Sequence, residues 1–393
     1  MIRKLTTKDI PRADELFAIA FEQPLERRPA DPDDTDTRWA AFDDATGDMM
    51  SMLVVNDYDV NFDGSICKMA GIGGVATLPQ YRRKGGVRGC FQAMLPDLYA
   101  SGYDFSYLYP CSTAYYRKFG YECCVQKYHV TVDLALLRPE DTAGSLHLVE
   151  RGNPMTEAVR AIDSQWENRY NMMVLHDAGD YKWLEEQDPA AKQEFTYLYL
   201  APDRSPKAYA VFKKADQPDG RNLVCSKFFF TDREGFSGLL SLFKSLSSDH
   251  RFVKFTLPAS AGMQYLLPEW SMGAAAWSVQ PAGMARVINV EKVLKKARYT
   301  GTGTTRLQIE DPQIPQNNQT YEIHFIDGRA ESVKPSPFAP TVSLTIPAFS
   351  ALISGVCGFR EALEWMPGVT VHRDADALPL IFYRKPLFIA DYF

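Results

Sequence analysis

The chain has 393 residues, 46% of them hydrophobic and 23% charged, with a formal net charge of -6. That length exceeds one ordinary domain and implies two or three. The composition is that of a globular protein, and the acidic balance disfavours non-specific nucleic-acid binding.

No stretch approaches the roughly 18 apolar residues of a membrane span. The start, Met1-Ile-Arg-Lys-Leu5, lacks an apolar signal core. The expectation is therefore a cytoplasmic protein with no membrane partner. The seven cysteines, at 67, 90, 111, 123, 124, 225 and 357, contain no CxxC pair, so neither a disulfide frame nor a zinc knuckle is indicated. The six histidines stand singly without HxxxH or HExxH, and no metal is expected.

In chain order, residues 2–5 read as a short strand and Thr7–Phe21 as a helix with Asp9 and Pro11 in its first turn. A polar segment follows, with Asp31, Asp33, Asp34 and Asp36, then Trp39 and Phe42. Such a charge run is ordinarily a solvated loop. Its functional reading is an anionic rim, with Trp39, that attracts a cationic substrate. Met50–Asn56 and Ile66–Thr77 read as strands joined through the Asp63-Gly64 turn. Gly71-Ile-Gly73-Gly74-Val-Ala76 matches GxGxxA, but Pro79 stands where a dinucleotide-binding helix would have to run, so the match is read as a decoy.

Val75-Ala76-Thr77 ends the strand, and Arg82, Arg83, Lys84, Gly85, Gly86, Val87 and Arg88 follow. Two glycines let the backbone approach a ligand closely. A helix starting near Gly85 points its first free N–H groups into this turn. Free amides, a positive helix end and cationic side chains together suit a pyrophosphate. The spacing is wrong for a P-loop. Val87, Phe91, Met94, Leu95 and Leu98 give that helix one apolar face, Pro96 should kink it and Gly102 stops it. Asp104–Tyr109 reads as the next strand. A short helix over Thr113–Phe119 and a long strand over Tyr121–Leu134 follow.

The turn, together with Tyr116-Arg-Lys-Phe-Gly-Tyr121 about thirty residues later, resembles the acetyl-CoA loop of the GNAT superfamily. The combination is similar to the enhanced intracellular survival (Eis) acetyltransferases. The resemblance implies an α+β chain of two tandem GNAT-type domains followed by a sterol-carrier-protein-like domain. We place these at 1–150, 151–283 and 284–393. The middle third reads as a helix over Met155–Tyr170, strands at 195–200, 208–213 and 223–230, a helix over 235–247 and a strand at 252–257. Thr231-Asp-Arg-Glu-Gly235 stands where the cationic turn would be, so this domain reads as a degenerate copy without acetyl-CoA binding. Residues 138–152 read as a connector. In the last third, 305–311, 320–327 and 341–346 read as strands, and 347–355 and 358–365 as helices.

Acetyl transfer to an amine requires a held and polarised thioester, a deprotonated amine and a proton for the leaving thiolate. The amides around Val75, Ala76 and Thr77 are the natural donors to the acetyl carbonyl. Cys111 and Ser112 fall where the family places further CoA contacts, though the family usually has Ser at the position of Cys111. By register with YxxFGY, Tyr116 is the general acid, since a phenol of pKa near 10 stays protonated at neutral pH. The resemblance also implies that the chain's C-terminal carboxylate faces the active site. Here that is Phe393, which would act as the base. The substrate expected from the family and the acidic rim is a cationic amine, aminoglycoside- or polyamine-like. The resemblance further implies a homo-oligomer, commonly a hexamer. Two other readings stay open: a non-catalytic acyl-CoA or lipid-binding protein, and a protein-lysine acetyltransferase.

Overall fold

The computed structural model describes residues 1–25, 37–266, 274–373 and 375–393. The polypeptide forms two compact units. One comprises 1–125, 282–385 and 391–393, the other 126–281 and 386–390. Among the described residues no helix is long and apolar enough to cross a membrane.

The first unit begins with β1 (Ile2–Lys4), α1 (Ile10–Phe21), β2 (Thr37–Phe42), β3 (Met49–Phe62), β4 (Ser65–Thr77), α2 (Gly86–Ala100), β5 (Phe105–Leu108) and α3 (Thr113–Arg117). β1 to β4 pair antiparallel in order, β4 pairs parallel with β5, and residues 284–287 pair antiparallel with β5. The alternation of side chains along a strand explains the layers. On β2, Trp39 and Ala41 share a core with Cys90, Phe91, Met94 and Leu95 of α2. Ala40 and Phe42 turn the other way, onto Ala13 and Leu16 of α1. β2 had not been anticipated, because both its faces are apolar and no polar alternation marks it. Pro96 lies inside a single helix that runs on to Ala100, four residues further.

The last third of the chain adds a five-stranded sheet to the same unit. Its spatial order is Arg329–Pro335, Thr320–Ile326, Gly303–Glu310, Val342–Thr345 and Val369–Val371. The helix Ile346–Ser354 is buried along its length against it. The strand Arg329–Pro335 was also missed in the sequence. Its register is set by pairing with residues 321–326.

Two buried ion pairs anchor the last third, one through a hydrogen bond to Phe119 and the other directly to Asp63 of the first third. Arg286 and Asp311 are both fully inaccessible, with Arg286 Nη2 at 2.6 and 2.7 Å from the two carboxylate oxygens. Asp311 also accepts from Asn317 Nδ2 at 2.9 Å and from the amides of Gln313 and Ile314. Arg286 Nη1 donates to the carbonyl of Phe119. Lys385 and Asp63 form the second pair at 2.6 Å, with side-chain exposures of 2% and 6%. Burial pushes the Lys385 ammonium below its usual pKa, while Asp63 opposes that fall. Asp63 sits in the β3–β4 turn and also accepts from the amide of Arg298.

In the second unit the sheet order is 126–133, Phe252–Pro258, Gly220–Phe230, Pro206–Gln217, Glu194–Leu200 and Ser145–Val149. Ser145–Val149 lies within the expected connector. The helices Thr156–Arg169 and Arg233–Ser245 pack on this sheet. Buried Asp163 accepts from Tyr209 at 2.6 Å and Tyr181 at 3.0 Å. Phe388, near the chain end, joins this core beside Trp166 and Tyr170.

Removing one partner of a fully buried pair leaves an uncompensated charge. We expect Arg286→Met to destabilise the protein by about 3–5 kcal/mol in urea unfolding. Arg286→Met combined with Asp311→Leu should recover most of that loss. A single-variant loss below about 1 kcal/mol would show that the pair is not an anchor.

Candidate active site

The site is built where β4 outlasts β5 and bulges against β3. β5 pairs with β4 only as far as Ile72 opposite Leu108. On the other side Val54 pairs with Gly73, and the next partners are Met52 and Ala76. Gly74 and Val75 therefore form a bulge, with Gly74 at φ +55°. A bulge re-aims backbone groups that would otherwise serve the ladder. Around Val75, Ala76 and Thr77 this leaves amides suited to polarising a carbonyl. Thr77 Oγ1 meets Ser51 Oγ at 2.9 Å, which fixes the strand end.

A short 3-10 turn, Pro79–Tyr81, leads to Arg82, Arg83, Lys84 and Gly85, all exposed. Arg83 and Gly85 have φ of +66° and +85°. Gly85 caps α2, and the left-handed backbone there is why a glycine is needed. Gly86 serves a different purpose. A Cβ there would stand 2.4 Å from Ser51 Oγ, so its absence lets α2 settle on β3. The first amides of α2, from Gly86 to Arg88, have no helical acceptor. With Arg88 also exposed, the turn presents cations and open N–H groups together, an arrangement suited to a diphosphate. In the second unit the corresponding helix start is closed. Asp232 accepts from the amide of Gly235 at 2.9 Å and pairs with Lys207 at 2.7 Å.

Tyr116 lies on α3, 3% exposed, with its ring edge-on to Phe91 and Tyr115. Burial pushes its pKa well above the usual phenol value, and nearby Cys111 adds to the rise. Its hydroxyl is 3.9 Å from Cys111 Sγ. Cys111 is exposed. Ser112 caps α3, its Oγ accepting from the amide of Tyr115 at 3.4 Å. Tyr121 is a wall residue, bonded to Ser106 Oγ at 2.7 Å.

The chain end returns to β4. Tyr109 donates from its hydroxyl to the carbonyl of Asp391. The ring of Phe393 lies 5.0 Å from that of Tyr58, 5.8 Å from Tyr107 and 5.7 Å from Tyr109. Its carboxyl carbon sits against Gly73, 3.2 Å from where a Cβ would be. The structure thus brings the strand end, the cationic turn, Tyr116 and Phe393 into one unit. Tyr58, Tyr107, Tyr109, Asn56 and the glycines of β4 were not singled out as site residues. The one signal for them was the Gly71-Gly73-Gly74 pattern set aside as a decoy.

Two expectations are corrected or left aside. Trp39 does not belong to an exposed rim. It is 9% exposed and packs in the core under α2, with Lys4 over its ring. Asp31, Asp33 and Asp34 lie outside the described residues. Among the described residues no group of histidine, cysteine and carboxylate side chains is placed to hold a metal ion.

The chain matches family models in three places. Residues 1–124 match an acetyltransferase (GNAT) domain, 173–287 a second acetyltransferase (GNAT) domain, and 290–385 a sterol carrier protein domain. Among solved structures it resembles a probable N-acyltransferase from Enterococcus faecalis at 22% identity and TM-score 0.85, over 100% of this chain and 99% of that one. A GCN5-related N-acetyltransferase from Anabaena variabilis aligns at 18% identity and TM-score 0.84, over 100% of both chains. Eis1 from Mycobacterium abscessus aligns at 17% identity and TM-score 0.79, again over 100% of both. No curated protein sequence matches the chain.

The Gly86 contact is testable by itself. Gly86→Ala should cost about 1–3 kcal/mol in thermal unfolding through overpacking. Ser51→Gly in the same chain should relieve it. An unchanged melting temperature in the single variant would mean that α2 does not need this close approach.

Proposed function

Because the chain is an acetyltransferase built of two GNAT domains and a sterol carrier protein domain, in the architecture seen in Eis1, we propose that it transfers an acetyl group from acetyl-CoA to a primary amine of a cationic small molecule. GNAT acetyltransferases use acetyl-CoA, which supplies the acetyl group as an activated thioester. The observation that carries the reading is the joint placement of the open start of α2, the β4 bulge, Tyr116 and the Phe393 carboxylate in one unit.

Each residue then has one task. Arg82, Arg83, Lys84 and Arg88, with the amides of Gly85, Gly86 and Val87, hold the pyrophosphate. The bulge amides around Val75, Ala76 and Thr77 draw negative charge onto the acetyl oxygen. Cys111 and Ser112 flank the thiol end. The amine nitrogen attacks the acetyl carbon as the carbon–sulfur bond breaks. Tyr116 gives its phenolic proton to the departing thiolate, and the Phe393 carboxylate accepts a proton from the amine. Two proton transfers in opposite senses leave both groups to be reset through solvent. Transfer is direct, so no cysteine nucleophile is needed. An aminoglycoside- or polyamine-like acceptor is supported by the anionic terminal carboxylate at Gly73, which attracts a cation.

Turnover of acetyl-CoA with aminoglycosides, polyamines and lysine peptides tests the reading. Small cationic amines should be acetylated in preference to peptides. Tyr116→Phe should lower kcat about 10²–10⁴-fold with little change in KM. Because burial raises the Tyr116 pKa, the acid stays loaded as pH rises. The rate of the parent enzyme should therefore show no alkaline fall below about pH 10. Acetyl-CoA binding without acetylation of any amine would favour a non-catalytic acyl-CoA-binding role instead.

A further inference from the structure

The glycines of β4 are not explained by acetyl-CoA. Gly71 and Gly73 are two apart on one strand and so face the same side. Glycine weakens a strand interior, and two at this spacing mark a place where something comes close. A Cβ at Gly71 would stand 2.7 Å from two ring carbons of Phe393 and 2.8 Å from Tyr58. A Cβ at Gly73 would stand 3.2 Å from the Phe393 carboxyl carbon and 3.4 Å from Asn56 Nδ2. One glycine therefore receives the ring and the other the carboxyl group. Asn56 is itself held, donating from Nδ2 to the carbonyl of Gly71 at 3.1 Å. Tyr58, Tyr107 and Tyr109 complete the wall around the ring.

We propose that Gly71, Gly73, Tyr58, Tyr107 and Tyr109 form a binding site for an arylalkyl carboxylate, filled in the intact chain by its own Phe393 and open to a free acid of that class when Phe393 is absent. The shape selects the ligand. The ring slot takes a phenyl or hydroxyphenyl group, and the Gly73 position admits a carboxylate one short chain away. A tethered group competes at an effective concentration on the order of millimolar or more, so a free acid reaches the site poorly while the tail is docked. The binding claim stands independently of catalysis; only its rescue of activity rests on the proposed role of Phe393 as base.

The test uses the chain shortened to residue 392 and carrying Tyr392→Ala, so that no tethered aryl carboxylate remains, titrated with N-acetyl-L-phenylalanine by isothermal calorimetry. N-acetyl-L-phenylalaninamide, acetate and the intact protein serve as comparisons, and retained acetyl-CoA binding serves as the check on folding. We expect saturable binding of the acid, at least tenfold tighter than the amide and absent from the intact chain. Gly71→Ala in the shortened chain should weaken it at least tenfold. Transferase activity should return with the same saturation. Absence of saturable binding, or binding indifferent to Gly71→Ala, overturns the proposal. Binding without restored transfer leaves the site standing and removes Phe393 from its role as base. Should the shortened chain fail to fold, Phe393→Ala replaces it; because its own carboxylate remains, toluene then probes the ring slot alone. Failure of that variant to bind toluene at least tenfold better than the intact chain also overturns the proposal.

Discussion

The buried pair of Arg286 and Asp311 is the constraint on which the arrangement of the first unit depends. A guanidinium with no access to water must have its charge matched; both Nη atoms of Arg286 find acceptors, while its Nε has none. Asp311 supplies the charge, and the carbonyl of Phe119 takes a further donor. That carbonyl lies just past α3, which carries Tyr116. Gly120 follows it, and a Cβ there would stand 1.7 Å from Arg286 Nη1. The Phe-Gly of the aromatic motif is thus shaped by a residue more than 160 positions away. The glycine makes room for the guanidinium, and the guanidinium holds the turn that ends the helix.

The second pair, Lys385 and Asp63, works at the β3–β4 turn. Asp63 closes the β3–β4 hairpin, and Lys385 precedes the final eight residues. Its aliphatic stem packs on Gly355, with Cβ and Cγ 2.5 Å from where a side chain would begin. Burial lowers the pKa of this lysine below its usual value, and the carboxylate that faces it opposes the fall. The root of the tail is therefore fixed to the turn whose two strands lead to Asn56, Tyr58, Gly71 and Gly73.

What the sequence disclosed was local. The cations and glycines at 82–88, the apolar spacing of α2 and the short helix read over Thr113–Phe119 are set by neighbours within a turn or two. Periodicity and turn chemistry report such features directly. Partners joined across the fold left no local trace. Nothing near Arg286 announces that it will be buried, and nothing near Asp63 announces Lys385, 322 residues on. β2 was hidden because a strand covered on both faces has no alternation to read. The glycines of β4 were visible, but a missing side chain shows that something approaches without showing what. Trp39 failed in the opposite way: its acidic neighbours in sequence suggested a rim, while strand alternation turned its ring inward.

A base supplied by the chain terminus has a consequence that a side-chain base lacks. A side-chain carboxylate exists as soon as its residue is made. On the proposed reading, the Phe393 carboxylate reaches Gly73 only when the last third has folded. The contacts that place it span 282 residues from Tyr109 to Asp391 and 322 from Asp63 to Lys385. Pairings of such separation pay their loop-closure entropy late in folding. On the proposed reading, the first third holds the acyl donor and Tyr116 yet has no base until the whole chain is complete. The sterol-carrier-protein-like domain then needs no lipid to account for its presence. Holding Phe119 through Arg286 and Asp311, and the root of the tail through Lys385, is sufficient physical work for it.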